Sequence, residues 1–374
     1  MIFTDIYFTR SKEAAAHSGL NPRARYNVFM RKAGIVCGMK YIKWLLRTAE
    51  NIKHGTKVWS LKDGDSFNRL EPIMCIEGHF QDLVELETEL LGYLSLSGPA
   101  TRMKELVKAA DGVPIIDMSA RHYYMNPGFG YAAFVGGAKG TSTTNGWKAA
   151  IDSVDNISDG SITEQEFADK WDFRVFGSIP HALNAITGGS IPAAKVYQEK
   201  YPDLPLTVLT DYEGMEMDVI REAVDTFGDK LYAIRLDTHG GRVHQGGSEN
   251  WHKFSGEACR EIVQKQVNGA YCCGKGVTIE AYLRTRKLLD SLGAHDVKIV
   301  LSSGFNKEKI EAFRPFIDPK RTAIGTGSWV GSQDYHATMD IVAVESEKEP
   351  GIWRNALKKG REYTPSERLQ EIKI

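Results

Sequence analysis

From residue 113 onward, short apolar runs alternate with long amphipathic helical patterns, and this alternation is the feature that most limits how the chain can fold. Strands joined by helices form parallel sheets that are buried on both faces. The pattern therefore predicts an α/β protein. The candidate strands are residues 113–116, 173–176, 206–209, 231–236, 297–301 and 322–324. The candidate helices are residues 215–227, 250–267, 278–292 and 307–313.

Charged residues and glycines recur where these candidate strands end. Asp117, Asp211 and Asp237 each follow an apolar run, and residues 302–304 (Ser-Ser-Gly) follow another. An open doubly wound sheet would spread these residues along an edge, whereas a barrel brings all of them to one rim. The barrel is the favoured architecture because it would gather the charges into one site.

The first part of the chain has a different pattern, and the division falls near residue 112. Helix-like segments at residues 25–51 and 83–94 are interspersed with short strand candidates at residues 57–61 and 72–76. The tail after about residue 350 is charged and is expected to pack on the surface or on the first domain. A separate N-terminal α+β domain is therefore expected.

The composition is that of an ordinary globular protein. Apolar residues make up 42% of the chain, charged residues 25%, and the net charge is −1, so no overall field would attract nucleic acid. No segment is long and apolar enough for a membrane span or a signal peptide. The five scattered cysteines fit reduced thiols better than disulfides or a zinc site. A cytoplasmic enzyme is expected.

Two glycine-rich segments resemble nucleotide-binding motifs but depart from them. In Gly325-Thr326-Gly327-Ser-Trp-Val-Gly, the third glycine comes one residue late for a dinucleotide fingerprint. That segment fits either a loop of backbone N–H groups around one phosphate or a plain tight turn. The segment at residues 269–276 ends in glycine where a P-loop needs serine or threonine, so we interpret it as a flexible turn.

Several single residues have both a functional and a structural interpretation. His181 follows a strand and a proline where a helix would begin, and it could be catalytic or structural. Asp211 and Asp237 could share one site, or each could cap the helix that follows. Arg121 could hold a ligand anion or form a surface salt bridge.

In combination, these segments resemble the nicotinate phosphoribosyltransferase family of NAD salvage, in a short archaeal-like form. The resemblance extends along most of the chain and keeps the family's order of motifs. They are Thr-Asp-Ile-Tyr at 4–7, Glu-Leu-Glu-Thr-Glu-Leu-Leu-Gly at 85–92, Ser-Ala-Arg-His at 119–122, Gly-Gly-Ala-Lys-Gly-Thr-Ser at 136–142, Ser-Ile-Pro-His at 178–181, Arg-Leu-Asp-Thr at 235–238, Ser-Ser-Gly at 302–304 and Gly-Thr-Gly at 325–327.

The resemblance implies an irregular, TIM-like α/β barrel at residues 113–335 beside an open-faced α+β sandwich at residues 1–112, which residues 336–374 would join. It also implies a homodimer with active sites at the subunit interface. The implied reaction joins nicotinate to phosphoribosyl pyrophosphate, forming nicotinate mononucleotide and pyrophosphate. ATP would drive the reaction through a phosphohistidine at His181, and Mg²⁺ would be bound mainly through substrate oxygens.

The resemblance also assigns roles to the residues of each motif. Asp237 would stabilise positive charge on the ribose or hold its hydroxyls, with Asp211 and His181 completing the catalytic group. Arg121, Arg235 and Thr238 would bind the substrate anions. Two further sets carry implied binding roles. The phosphate-binding residues would be Ser302, Ser303, Gly304, Gly325, Thr326 and Gly327, and Tyr7 would stack on the pyridine in the neighbouring subunit's site.

Ser142 bears on whether the substrate is nicotinate or its amide, nicotinamide. The related nicotinamide enzymes resemble the chain here but carry an aspartate, and a carboxylate would repel nicotinate, so Ser142 favours the acid. The alternatives are a quinolinate or nicotinamide phosphoribosyltransferase and a non-catalytic barrel that binds a nucleotide. No role is assigned to His239 and His244, which lie in the segment least like the family.

Overall fold

A computed structural model describes residues 3–50, 52, 55–122, 128–155, 162–250, 269–331, 335–346, 348–361 and 366–373. Its helices are α1 (Ile6–His17), α2 (Met39–Thr48), α3 (Phe80–Leu83), α4 (Glu87–Leu94), α5 (Ser97–Ala110), α6 (Gly128–Val135), α7 (Thr144–Asp155), α8 (Glu164–Trp171), α9 (His181–Thr187), α10 (Ser190–Lys200), α11 (Glu216–Phe227), α12 (Ile279–Ser291) and α13 (Lys307–Phe313).

The strands are β1 (Arg23–Met30), β2 (Gly34–Ile35), β3 (Lys57–Ser60), β4 (Ser66–Phe67), β5 (Pro72–His79), β6 (Ile115–Asp117), β7 (Gly140–Thr141), β8 (Arg174–Val175), β9 (Leu206–Leu209), β10 (Leu231–Leu236), β11 (Lys298–Leu301), β12 (Thr322–Thr326), β13 (Ala337–Glu345), β14 (Trp353–Asn355) and β15 (Gln370–Ile372). The chain forms two compact units. One comprises Met1–Met103, Tyr131–Gly136 and Gly331–Ile374, and the other comprises Lys104–Gly130 and Gly137–Val330.

The first unit contains an antiparallel sheet with the strand order β14-β13-β1-β5-β3-β15 among the described residues. Strand β13, from the C-terminal part of the chain, pairs with residues 24–30 of β1. Alternate residues of β1, such as Val28 and Met30, are fully buried in one apolar core with Ile42 of α2 and Leu90 of α4. This N-terminal antiparallel sheet domain confirms the predicted α+β layer.

The second unit contains a parallel sheet with the order β8-β7-β6-β12-β11-β10-β9 in the described part of the chain. Its strands bury Val208, Ile234, Ile299 and Leu301 completely, as expected for a sheet covered on both faces. The sheet curls into a half-barrel, which confirms the predicted irregular α/β barrel architecture. Because all strands run in one direction, their carboxyl ends lie on one rim.

One secondary-structure prediction is wrong. Residues 25–51 were expected to be helical, but residues 23–30 form β1, and only Met39–Thr48 form a helix. The apolar spacing in this segment fits both periods, and pairing with β5 on one side and β13 on the other selects the strand. The helix expected at residues 250–267 falls almost entirely outside the described residues.

Candidate active site at the carboxyl ends of the parallel strands

A hydrogen-bonded cluster around Arg235 joins the ends of three strands. The Nε of Arg235 donates to Oγ of Ser302 at 2.9 Å, Nη1 to Oγ of Ser178 at 2.9 Å, and Nη2 to Oδ2 of Asp237 at 2.7 Å. Ser302 in turn donates to Oδ1 of Asp237 at 2.8 Å. A guanidinium carries five N–H donors. The three bonds recorded among the described residues therefore leave two donors for a substrate anion.

The residue order of β10 explains how Arg235 and Asp237 meet. Side chains alternate along a strand, so residues 235 and 237 lie on the same face, while Ile234 and Leu236 are buried on the other. The side chains of Arg235 and Asp237 are 15% and 17% exposed. An ion pair with this limited access to water keeps a carboxylate fixed in direction at the mouth of the half-barrel.

His181 and Asp211 form a second pair on the same rim. The Nε2 atom of His181 lies 3.1 Å from Oδ1 and 3.3 Å from Oδ2 of Asp211. His181 follows β8 and Asp211 follows β9, the two strands at the ends of the parallel sheet. The histidine side chain is 49% exposed, whereas the aspartate side chain is 6% exposed. Asp211 therefore orients an imidazole that is open to solvent.

Glu216 organises the loop that follows Asp237. Its buried carboxylate accepts hydrogen bonds from Thr238 at 2.8 Å, from the backbone of Gln245 at 3.1 Å, and from Arg242. Burial alone would raise the pKa of Glu216, but its hydrogen bonds and the Arg242 guanidinium hold that pKa below the usual value. Arg242 also donates to the backbone carbonyl of Asp211 at 3.0 Å. This network connects the ends of β9 and β10.

Thr238, predicted to bind substrate, and the two histidines without an assigned role all make contacts within the protein. Thr238 is completely buried, and its hydroxyl donates a hydrogen bond to the Glu216 carboxylate. His244 is also buried, its Nδ1 lies 2.9 Å from the carbonyl of Gln245, and burial lowers its pKa. His239 accepts a hydrogen bond from the backbone of Gly241 at Nδ1, 3.0 Å away. These contacts give the atypical segment a structural function.

The turn after β11 has an unusual backbone. Ser303 and Gly304 have φ angles of +74° and +71°, the left-handed region that serine rarely adopts. The Ser303 hydroxyl donates to the carbonyl of Thr238 at 3.1 Å, and its own carbonyl accepts from Nζ of Lys309 at 3.0 Å. Lys309 lies inside a helix whose pattern predicts only an amphipathic surface, so no sequence signal pointed to its contact with this turn.

The end of β12 approaches β6 closely. Residues 324–326 pair with residues 115–117, so the strand includes Gly325 and Thr326, which were expected in a loop. A β-carbon at Gly327 would lie 2.9 Å from both the carbonyl oxygen of Met118 and Nε2 of His122. Glycine is therefore required here by space.

Asp117 fixes the neighbouring loops. It is buried and accepts from the backbone of Ser119 at 3.0 Å and from the Thr141 hydroxyl at 2.8 Å. Burial raises the pKa of Asp117, and the two hydrogen bonds oppose that shift. The backbone N–H of Ser142 donates to the Asp117 carbonyl at 2.8 Å, which leaves the Ser142 side chain exposed. Arg121 is also exposed, in a short 3₁₀ turn after β6.

Tyr7 lies on α1 in the first unit, with 55% of its surface exposed. The segment around it contacts the Glu85 motif of the same unit. Thr9 donates to Oε1 of Glu85 at 3.0 Å, and Lys12 donates to Oε2 at 2.6 Å. The two N-terminal motifs therefore form one local structure, although nearly eighty residues separate them.

The described residues contain no helix of the length and hydrophobicity needed to cross a membrane. They also contain no group of three or more histidine, cysteine or acidic side chains arranged to hold a metal ion.

Comparisons with known proteins agree with this architecture. Residues 5–97 match the family model "Quinolinate phosphoribosyl transferase, N-terminal domain". The nicotinate-nucleotide pyrophosphorylase of Pyrococcus furiosus is similar in structure over 96% of this chain and 77% of its own, with a TM-score of 0.69 and 25% identity. No curated protein sequence gives a significant match.

Two more distant structures share the fold. The human nicotinic acid phosphoribosyltransferase covers 94% of this chain and 76% of its own, with a TM-score of 0.58 and 14% identity. The nicotinate-nucleotide pyrophosphorylase from Francisella tularensis covers 90% and 94%, with a TM-score of 0.54 and 13% identity.

A curled parallel half-barrel with polar side chains at its strand ends, in a chain that also contains an N-terminal antiparallel sheet domain, is the architecture of type II phosphoribosyltransferases. The chain therefore has a fold consistent with the type II phosphoribosyltransferases, and residues 5–97 match a family model of that class.

Proposed function

We propose that the chain transfers a phosphoribosyl group to nicotinate in NAD salvage, forming nicotinate mononucleotide and releasing pyrophosphate. The observation that carries this proposal is the Arg235–Asp237–Ser302 cluster, which sits on the same rim as the His181–Asp211 pair. The cluster offers a fixed carboxylate and two guanidinium donors that bond to none of the described residues, next to the turn at residues 302–304. Those are the groups that a phosphoribosyl donor requires.

The chemistry follows from where charge develops. As the bond from ribose C1 to pyrophosphate breaks, positive charge builds on the ribose ring, and the pyridine nitrogen forms the new bond to C1. The Asp237 carboxylate, held by Arg235 and Ser302, stabilises that charge without having to reorient. The turn at residues 302–304 and the glycines near the end of β12 bind the 5′-phosphate through backbone N–H groups.

Magnesium would assist the departure of pyrophosphate by neutralising its charge. The carboxylates of Asp211 and Asp237 are oxygen donors of the type that Mg²⁺ accepts, but both are already engaged by protein groups. We therefore expect the ion to be held mainly by the oxygens of phosphoribosyl pyrophosphate.

ATP coupling would use His181. Its Nε2 is held by Asp211, and Nδ1 has no hydrogen-bond partner in the described part of the chain. Nδ1 is therefore the atom that would take the γ-phosphoryl group from ATP, releasing ADP, and hydrolysis of the resulting N–P bond would restore the imidazole. When the Nε2–H of His181 donates to Asp211, the lone pair lies on Nδ1 and is available for this step.

We propose that Tyr7 acts in the site of the neighbouring subunit of a cytoplasmic homodimer. The test mixes two poorly active variants, Tyr7→Ala and Asp237→Asn, which would complement each other. A mixed dimer would contain one intact site, so random exchange of subunits should restore about a quarter of wild-type activity. Activity that stays at the level of the separate variants would exclude a shared site.

A second candidate substrate is quinolinate. The match of residues 5–97 to the quinolinate phosphoribosyltransferase N-terminal model favours it. A dicarboxylate would need a second cationic group in addition to the remaining donors of Arg235, whereas Arg242 is already bound to Glu216. The exposed Ser142 and the His181–Asp211 pair favour nicotinate.

The decisive experiment incubates the full chain with phosphoribosyl pyrophosphate and Mg²⁺, offering nicotinate, nicotinamide or quinolinate, each with and without ATP. We expect nicotinate mononucleotide from nicotinate, faster with ATP, and phosphate on His181 by mass spectrometry. Turnover of quinolinate but not of nicotinate would reverse the assignment. Binding without any turnover would indicate a non-catalytic nucleotide-binding barrel.

A further inference from the structure

Lys309 has an environment that is uncommon for a lysine. It lies on α13 and is only 8% exposed. Its ammonium lies 4.4 Å from the centre of the Phe305 ring and 5.9 Å from that of Phe313. It forms no ion pair with any carboxylate in the described part of the chain, and its one recorded hydrogen bond goes to the Ser303 carbonyl. A buried charge is costly unless something compensates for it.

The bond to Ser303 orients a specific peptide group. The carbonyl of Ser303 and the N–H of Gly304 belong to one trans peptide and point in opposite directions. Since the carbonyl points at Lys309, the N–H of Gly304 points away from the lysine, toward the exposed side of the turn. The ammonium also polarises this peptide and thereby increases the positive partial charge on that N–H.

We propose that Lys309 is a positioning residue that aims the Ser303–Gly304 peptide at the substrate phosphate and supplies the positive charge behind that subsite. This inference rests on the proposed function, because it takes the turn at residues 302–304 as a phosphate subsite. An arriving phosphate would provide the anion that the buried ammonium otherwise lacks.

The charges around Lys309 determine how phosphate affinity is expected to depend on pH. Burial lowers the pKa of Lys309 to about 8, while Asp237 opposes that shift. Asp237 is itself paired with Arg235. Tyr271 and Arg314 lie on segments that pack on α13, and Arg314 pairs with Asp111. Lys307, Glu308 and Glu311 share the helix.

A bound phosphate raises the pKa of the lysine, so binding and protonation are linked. Phosphate affinity is therefore full below pH 8 and falls by up to about tenfold per pH unit above it. The phosphate monoester itself is already a dianion above about pH 7 and contributes little to this slope.

The test measures binding of ribose 5-phosphate to the full-length protein by calorimetry at pH 7, 8, 9 and 9.5. Lys309→Met keeps the apolar stem between the two phenylalanines, and Lys309→Gln keeps an N–H donor for Ser303 but removes the charge. Both should bind about tenfold to a hundredfold more weakly than wild type at pH 7 and lose the slope above pH 8. Lys307→Met, on the same helix, is the matched control and should behave as wild type.

Thermal unfolding verifies that each variant is folded. In the transferase assay, Lys309→Met should raise KM for phosphoribosyl pyrophosphate and leave KM for the pyridine substrate unchanged. Affinity within twofold of wild type in both Lys309 variants, or an unaltered pH slope, would overturn the inference alone. Wild-type protein that binds no ribose 5-phosphate would overturn both the inference and the proposed function.

Discussion

The imidazole of His181 and the carboxylate of Asp211 connect the two ends of the parallel sheet. His181 follows β8 and Asp211 follows β9, and these strands are not hydrogen-bonded to each other. The Nε2–Oδ1 contact of 3.1 Å bridges the gap at the rim where the other site residues lie. His181, the proposed phosphate acceptor, is thus held by Asp211, which lies at the opposite edge of the half-barrel.

Asp211→Asn should reduce phosphorylation of His181 by about tenfold to a hundredfold, because a hydrogen bond to a charged group contributes about 1.5–3 kcal/mol. Turnover without ATP should change by less than about threefold, since Asp211 does not contact Asp237. Mass spectrometry of His181 and assays with and without ATP measure the two effects. Asp225→Asn, on the exposed side of α11, is the control. Wild-type levels of phosphohistidine in Asp211→Asn would refute the orienting role.

Asp237→Asn should lower kcat by a factor on the order of 10³ while phosphoribosyl pyrophosphate still binds within about tenfold of wild type. Asparagine has the same size and can still interact with Ser302, but it has no charge to stabilise the ribose. Steady-state kinetics and equilibrium binding separate the two quantities. Asp229→Asn, at the opposite end of β10, should be fully active. A variant that loses binding and turnover equally would argue against the assigned role.

Gly327→Ala should weaken binding of ribose 5-phosphate by about tenfold, because the new methyl group meets the Met118 carbonyl and the His122 ring, and overpacking costs about 1–3 kcal/mol. Gly325→Ala is the comparison. Its methyl group would meet Sδ and Cε of Met118, the far end of a flexible side chain that can move aside. Calorimetry should therefore find the smaller loss in Gly325→Ala, and the reverse order would contradict this account.

Glu87→Gln should stabilise the first unit at high pH. Burial, followed by repulsion from Asp340 and Asp5, raises the pKa of Glu87 to about 7 from 4.5. A raised carboxyl pKa means that the folded state is favoured below pH 4.5 and loses stability as pH rises toward 7. After allowance for partial solvation, the gain in the variant at pH 8 is about 1–2 kcal/mol.

Thermal unfolding of Glu87→Gln at pH 8 should give a Tm higher by a few degrees. At pH 4 the two proteins should unfold at the same temperature, because Glu87 is then neutral in both the folded and unfolded states. Equal Tm values at both pH values would show that Glu87 is better solvated than its surroundings indicate.

The positions of several elements of the parallel sheet could be predicted from the sequence. Strands β9 and β10 occupy the expected residues, and α13 begins and ends where the pattern predicts. Short runs of buried apolar residues bounded by charges are a local signal, and parallel direction follows from the intervening helices. Strand β7, with two residues, is too short to carry such a signal. Strand β1 was mistaken for a helix because its partners β5 and β13 lie far away along the chain.

The position of several candidate-site residues at one rim could be predicted for a similar reason. Asp211, Asp237 and Ser302 could be placed on one rim because each ends a strand. Their individual partners depend on side-chain contacts across dozens of residues, such as Ser178 with Arg235 or Glu216 with Arg242. No local pattern encodes such contacts, and a buried lysine within an amphipathic helix has the same sequence appearance as a solvated one.

The break in the sheet between β8 and β9 also affects where the molecule opens most readily. Strand β8 contributes two residues and is paired on one side only, whereas β11 and β12 lie between partners on both sides. Backbone amides in β11 and β12 should exchange with deuterium only on global opening, and those of β8 through local fluctuation. The histidine proposed to carry phosphate thus follows a two-residue edge strand, where covalent modification can alter local order at small energetic cost.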